Sequence, residues 1–491
     1  MLGKVCSNTN TFVRQTPKDK RKSYGQFFTS EQTADYMARL FDIDMSQPCL
    51  RLLDAGAGSG ILSAALVSRI REAGYDGRIE LTCYENDACV IPLLEENLAL
   101  LREQTSIECE VINENYLTSQ SFSALPTLFD ALPDLRDKYD LIIGNPPYKK
   151  ISKDAPEAVH LSDVCHGAPN LYFLFWAMAI RNVRPGGQIV YIIPRSWTSG
   201  LYFERFRQYL FEHCVITDLH LFESRDKVFD GESVLQETMI VKARKGCPRP
   251  ATISVTTSET SDFANLIRHT VPYETIVSPS GYVYLVTNAA ETDTLKRISQ
   301  FTETLVSNDL RMKTGIIVDF RSRDVLRDKE DCDTYPLIYS QHIRDGRVRW
   351  PIGKQAEYIC TNRSSYLQRN TNYLFVKRFT AKEEPRRLQC GIYLSADYSQ
   401  YEFISTQNKI NYIQCHSEDE VFGLYTLFNS TLYDRYYRIL NGSTQVNATE
   451  INCMPVPPRS TIIQMGRELR QCDLSQLSCD KIIDKWIKQQ S

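Results

Sequence analysis

Between residues 50 and 245, short apolar runs alternate with amphipathic stretches, which is the pattern of a parallel sheet whose crossovers are helices. Residues 50–53, 79–84, 107–112 and 141–143 read as the first four strands, short and nearly continuously apolar as strands buried on both faces are. Residues 31–41, 61–73 and 88–101 read as helices, with Thr29 and Gln32 at the spacing of a capping box. Residues 169–183 are apolar nearly all round and predict a buried helix. Arg184-Pro185-Gly186-Gly187 then turns the chain into a strand over 188–193. Strands near 215–222 and 237–242 complete a sheet of about seven.

Three stretches break the alternation. Residues 1–22 are polar, with Lys18, Lys20, Arg21 and Lys22 close together, and read as a flexible basic arm. Residues 149–168 are polar and irregular and read as a mobile loop. After Lys245-Gly246-Cys247-Pro248-Arg249-Pro250 the alternation stops, and short β-like runs mix with basic and aromatic residues. The expected organisation is therefore an arm (1–22), an α/β domain with a Rossmann-like sheet (23–245) and an α+β module (246–491).

Composition narrows the class. With 491 residues, 42% apolar and 24% charged, the chain reads as a soluble globular protein of two or three domains. A net charge of −3 gives no global attraction to nucleic acid, so a nucleic-acid face must come from local clusters of its 57 Lys and Arg. Three such clusters lie in the second half: Arg321, Arg323 and Arg327; Arg344, Arg347 and Arg349; Lys377, Arg378, Lys382, Arg386 and Arg387. They point to phosphate contact, with an ordinary solvated surface as the competing reading. Fifteen cysteines without a CxxC pair, and no charged-then-apolar segment at residue 1, suggest a reducing cytoplasm. Seven scattered histidines suggest no zinc site, and no run approaches the roughly 20 apolar residues of a membrane span.

Candidate chemistry concentrates at strand ends. The first strand runs into Asp54-Ala55-Gly56-Ala57-Gly58-Ser59-Gly60, where alternating glycines let a ligand approach the backbone. The spacing differs from the dinucleotide fingerprint and lacks the phosphate-loop lysine, so a nucleotide-like cofactor without a pyrophosphate fits better. Glu85 ends the second strand, placed for two ribose hydroxyls. After the third, Asn115 and Tyr116 offer an amide oxygen and a ring, or form only a polar turn. Phe27, Phe28 and Thr29 precede a helix, lining a pocket or stapling that helix.

The fourth strand delivers Asn145-Pro146-Pro147-Tyr148 at its carboxyl end. Two prolines stiffen the loop, and the Asn145 amide oxygen and Pro146 carbonyl form paired acceptors suited to an exocyclic amine. Tyr148 adds a face for a planar ring and a hydroxyl able to stay wet. A plain strand-ending turn is the alternative.

Taken in order, these motifs resemble the gamma class, or TaqI type, of S-adenosylmethionine-dependent DNA adenine-N6 methyltransferases, over residues 24–245. The resemblance implies a seven-stranded methyltransferase sheet followed by a DNA target-recognition domain. It implies that Phe28, Thr29, Asp54, Gly56, Gly58, Gly60, Glu85, Asn115 and Tyr116 hold the cofactor, although the family usually carries Asp where this chain has Asn115. It further implies that Asn145, Pro146 and Tyr148 hold a flipped adenine. Pro194 and Trp197 match the family's Pro-x-x-Trp segment, which puts the closing aromatic on Phe203. Residues 314–321 and 441–450 resemble the recognition half of the PstI and BsuBI modification enzymes, implying a CTGCAG site. Arg321, Arg323, Arg344, Arg347, Lys377 and Arg378 are then the expected DNA contacts. A monomer acting on double-stranded DNA, without metal or membrane and beside a separately acting restriction endonuclease, completes the expectation. Methyltransferases of RNA bases and of protein glutamine share Asn-Pro-Pro-Tyr, and a non-catalytic DNA-binding subunit is the third alternative.

Overall fold

The computed structural model describes residues 2–15, 28–120, 136–222, 238–279, 281–331, 333–381, 383–441 and 444–490. The chain divides into two compact units, Met1–Thr287 and Asn288–Ser491.

The first unit is built on β1 (Cys49–Ala55), β2 (Arg78–Tyr84), β3 (Glu108–Ile112), β4 (Tyr139–Gly144), β5 (Val183–Pro194), β6 (Cys214–Phe222), β7 (Thr238–Lys245), β8 (Thr252–Ser258) and β9 (Ile267–Pro272). They form one sheet in the order β3-β2-β1-β4-β5-β7-β6-β8-β9. Strands β1 to β5 are parallel, and β7 runs antiparallel between β5 and β6. The chain moves outward from β1 to β3, then returns to lay β4 against the other side of β1, pairing Leu52 with Leu141 and Asp54 with Ile143. That reversal opens a crevice at the carboxyl ends of β1 and β4, where open α/β sheets take ligands.

The helices of the first unit include α1 (Leu2–Gln15), α2 (Glu31–Arg39), α3 (Ile61–Glu72), α4 (Ile91–Thr105), α5 (Pro156–His160), α6 (Leu171–Asn182) and α7 (Glu204–His213). Helix α6 buries almost every side chain, including Phe173, Trp176 and Met178, as its uniform apolarity demands.

Several expectations are corrected. The 1–22 arm is not wholly flexible: α1 buries Val5, and Asn8 Nδ2 donates to Asn97 Oδ1 on α4 at 2.9 Å. The basic residues that suggested disorder, Lys18 to Lys22, lie outside the described residues. The sheet does not end at 245. β8 pairs in parallel with β6 from Asp218 to Phe222, which carries the first unit on to Thr287. The cap of α2 is Ser30, whose Oγ accepts from Thr33 N–H, and not the Thr29 and Gln32 pair. Residues 149–168 contain α5, and their ends are tied by Ile151 N–H to the Pro169 carbonyl and Leu171 N–H to the Lys149 carbonyl, both at 2.8 Å.

The second unit holds a six-stranded sheet centred on Asn372–Lys377 and Ile410–Cys415, a five-stranded sheet around Thr334–Ile338, and helices including Glu418–Phe428 and Arg459–Leu469. Those two helices touch backbone to backbone. A Cβ on Gly423 would lie 1.9 Å from the Ile462 carbonyl oxygen, so only glycine fits. Among the described residues no helix is long and apolar enough to cross a membrane.

Candidate active site

A cavity of about 280 Å³ opens at the β1/β4 crevice, and Phe28, Gly56, Gly58, Glu85, Asn115, Tyr116 and Asn145 all line it. The glycine turn and the Asn-Pro-Pro-Tyr loop therefore share one space.

The turn after β1 is set by backbone geometry. Gly56, Gly58 and Gly60 have φ of 73°, 55° and 76°, where side chains are disfavoured. Gly56 and Ala57 donate to the Tyr84 carbonyl at 2.9 Å, fastening the turn to β2. Glu85 is clamped next to it, accepting from Gly58 N–H at 2.9 Å and from Asp87 N–H at 2.8 Å. Burial pushes its carboxyl up, while those N–H groups hold it down. Gly60 is corrected in role: it does not line the cavity, and a Cβ there would lie 2.9 Å from Leu94 Cδ1, so it lets α3 pack on α4. From α4, Asn97 Nδ2 donates to the Ser59 carbonyl at 2.8 Å, a brace with no local sequence signal.

Asp54 lies beneath the cavity and does not line it. It is fully buried; Oδ2 accepts from Ser63 at 2.7 Å, and Oδ1 has no hydrogen-bond partner among the described residues. Burial drives its carboxyl up from 3.8 to about 7. Between about pH 4 and 7 the folded form holds a proton that the unfolded chain has lost, so rising pH weakens the fold, by roughly 4 kcal/mol once complete above 7. Asp54→Asn removes this titration. In thermal unfolding of ligand-free protein, the variant's stability relative to the native chain is expected to climb from about pH 4 to 7 and then level off. A pH-independent difference would exclude Asp54 as the titrating group.

At the carboxyl end of β4, Asn145 Nδ2 donates to Thr29 Oγ1 at 3.1 Å, joining the segment before α2 to the Asn-Pro-Pro-Tyr loop. The Tyr148 hydroxyl lies 2.9 Å from Asn145 Oδ1 and 3.1 Å from the Ile192 carbonyl. With Nδ2 donating to Thr29 and Oδ1 accepting from the Tyr148 hydroxyl, Asn145 lies with its oxygen end on the Tyr148 side. The expectation of a wet Tyr148 hydroxyl is corrected: the residue is half-buried and its hydroxyl is engaged within the protein by those two oxygens, with burial raising its pKa well above the ordinary value. Pro146 is buried. Tyr148 and Phe203 do not line the cavity; Tyr148 stands edge-on to Tyr172 at 6.4 Å, and Tyr172 lies 6.1 Å from Phe203.

Tyr116 packs between Tyr84 and Phe175 at 5.1 and 5.3 Å, and its hydroxyl donates to Asn182 Oδ1 at 2.7 Å. Asn115 Oδ1 accepts from Leu117 N–H, while Nδ2 donates to Glu157 Oε1 at 2.8 Å. Glu157, Lys149 and Phe175 also line the cavity and were not singled out as ligands from sequence. Phe175 is hidden in a helix apolar all round, and Glu157 in a stretch read as loop. Among the described residues no group of three or more His, Cys, Asp or Glu is placed to hold a metal ion.

In the second unit, Arg321, Arg323, Arg344 and Arg347 are exposed. Lys377 and Arg378 are half-buried, donating to Gln389 Oε1 at 2.8 Å and the Asn408 carbonyl at 3.0 Å. The third cluster is in part structural. Arg387 is buried, donating to Thr380 Oγ1 and the Asn441 carbonyl, and Arg386 caps the carbonyls of Phe428 and Ser430. Asn441, Tyr437 and Glu450 form a buried hydrogen-bonded set beside Arg387.

Residues 73–229 match the family described as Eco57I restriction-modification methylase. Type II methyltransferase M.BsuBI of Bacillus subtilis is 34% identical over 462 residues, covering 92% of this chain and 91% of that protein. Type II methyltransferase M.PstI of Providencia stuartii is 32% identical over 476 residues, covering 95% and 93%. The structure of the Type IIL restriction-modification enzyme MmeI in complex with DNA matches in fold with a TM-score of 0.54 at 11% identity, over 93% of this chain and 72% of that one. Near-complete coverage at these identities places the whole chain in one family: it belongs to the type II methyltransferases of restriction-modification systems, in the group of M.BsuBI and M.PstI.

Proposed function

We propose that the protein is a site-specific DNA methyltransferase that moves the methyl group of S-adenosylmethionine to N6 of an adenine turned out of duplex DNA. On this reading it protects a CTGCAG site from a separately acting restriction endonuclease. The observation that carries the reading is that Asn145 lines the same cavity as Gly56, Gly58 and Glu85.

The cavity's residues fit such a cofactor. Gly56 and Gly58 leave the backbone open, and Glu85 is fixed by two N–H groups. Phe28, Tyr116 and Phe175 give apolar faces for an adenine ring, and Asn115 brings an amide beside them. Bound there, S-adenosylmethionine would supply a methyl group already activated as a sulfonium. The chain's task is then to position and to accept. Asn145 Oδ1 and the Pro146 carbonyl would accept hydrogen bonds from the two N6 hydrogens, freeing the nitrogen lone pair and stabilising the positive charge that develops on it; as the N–C bond forms the C–S bond breaks, and the one excess N6 proton is then lost to solvent. Thr29 Oγ1 accepts from Asn145 Nδ2 and so anchors the side chain at that end. Tyr148 and Phe203, linked through Tyr172, offer the extruded base two faces, each worth about 1–3 kcal/mol.

An RNA base or a protein glutamine would satisfy the same acceptors, but the family membership favours DNA. Methylation-sensitive sequencing of DNA from cells making the protein tests the reading at once. N6-methyladenine in a single sequence context is expected; unmodified DNA alongside methylated RNA or protein would overturn it, and a decayed pocket would fail to bind S-adenosylmethionine in equilibrium dialysis.

A further inference from the structure

Three of the large apolar side chains left in water among the described residues gather around one turn of the second unit. They are Ile316 (44% exposed), Phe320 (68%) and Phe379 (51%). Scattered exposed apolar residues need no explanation, but two exposed phenylalanines at one turn do.

The turn, residues 406–409, is held from both sides. Ile316 and Ile317 donate to the Thr406 carbonyl at 2.9 and 3.1 Å, and Asn408 N–H donates to the Ile317 carbonyl at 2.8 Å. Opposite, Arg378 N–H donates to the Lys409 carbonyl and its guanidinium to the Asn408 carbonyl, both at 3.0 Å. Gly315 permits the first contact, since a Cβ there would lie 2.2 Å from the Gln407 carbonyl oxygen. Gln407 Nε2 donates to Asp319 Oδ2 at 3.3 Å, so Phe320 follows a residue tied to the turn on one side, as Phe379 follows Arg378 on the other. A guanidinium lies over each ring, Arg321 at 5.3 Å from Phe320 and Arg378 at 5.5 Å from Phe379. Lys313, Arg321, Arg323 and Lys409 around them are exposed.

Exposed rings bearing cations suit a partner with negative charge and flat apolar faces together. Duplex DNA offers phosphates beside base faces that become accessible wherever a step is unstacked. We propose that this patch deforms the duplex: Phe320 wedges into a base step, Phe379 stacks beside it, and the exposed Arg321 and Lys409 meet the flanking phosphates, while Arg378 holds the turn. The inference rests on the reading of the protein as a DNA methyltransferase.

The test uses the full chain and a duplex centred on the sequence found methylated. Phe320→Ala is expected to weaken binding about 5–150-fold in fluorescence anisotropy without changing its salt dependence. Arg321→Ala is expected to lower the slope of log K against log salt by about 1. Phe320→Trp retains the affinity. 2-Aminopurine scanned through the flanks brightens at one step with the native protein and stays quenched with Phe320→Ala. Cofactor binding and thermal midpoint, unchanged in each variant, separate this loss from misfolding. If Phe320→Ala and Phe379→Ala together leave affinity and brightening unchanged while native protein methylates DNA, the wedge is wrong and the methyltransferase reading survives. If native protein methylates no DNA, both fall.

Discussion

Asn145→Ala is expected to reduce single-turnover methyl transfer by about 10²–10³-fold, the usual cost of deleting one hydrogen-bonding group that stabilises transition-state charge. Its effect on cofactor affinity, read by equilibrium dialysis, should stay within about twofold, because the glycine turn and Glu85 are fastened independently through Tyr84, Asp87 and Asn97. The split separates acceptance of the target amine from cofactor binding. Thr29→Ala should fall between native and Asn145→Ala, since it removes the anchor on Nδ2 and keeps the oxygen. Turnover near the native rate in Asn145→Ala would remove the side chain from the chemistry.

Arg387→Ala is expected to destabilise the protein by about 2–5 kcal/mol, since it empties a buried site and leaves the Thr380 hydroxyl and the Asn441 carbonyl without their donor. Arg387 sits over the Tyr437 ring at 5.5 Å and donates to Thr380 Oγ1 at 3.2 Å and the Asn441 carbonyl at 3.3 Å. Glu450, hydrogen-bonded to Asn441 and Tyr437, has its carboxyl raised by burial and lowered in part by Arg387. Without the guanidinium that carboxyl loses its nearby positive charge. Urea unfolding of the full chain measures the loss. A variant that unfolds like the native protein but binds DNA with a smaller salt slope would return Arg387 to the surface role its sequence neighbourhood suggested.

That contrast marks how far the chain can be read in one dimension. Five basic residues within eleven positions look like one cluster, yet Lys377 and Arg378 reach the surface in part while Arg387 is sealed inside. Burial depends on what folds over a residue, and Tyr437 and Asn441 lie against Arg387. Gly60 teaches the same point, since its spacing groups it with Gly56 and Gly58 while its neighbour Leu94 comes from another helix.

What the sequence determined by itself was local: the glycine turn after β1, the stiff Asn-Pro-Pro-Tyr loop after β4, the succession of strands and helices along the chain, and the buried helix α6. Glycine and proline act on their own φ angles, and apolar periodicity registers within a single element, so these need no distant partner. Only the tertiary structure decided that α1 packs down, that β8 and β9 extend the sheet, and that Glu157, Phe175 and Lys149 join the cavity. Each depends on segments far apart in the chain meeting in space, a pairing that no stretch of residues encodes alone.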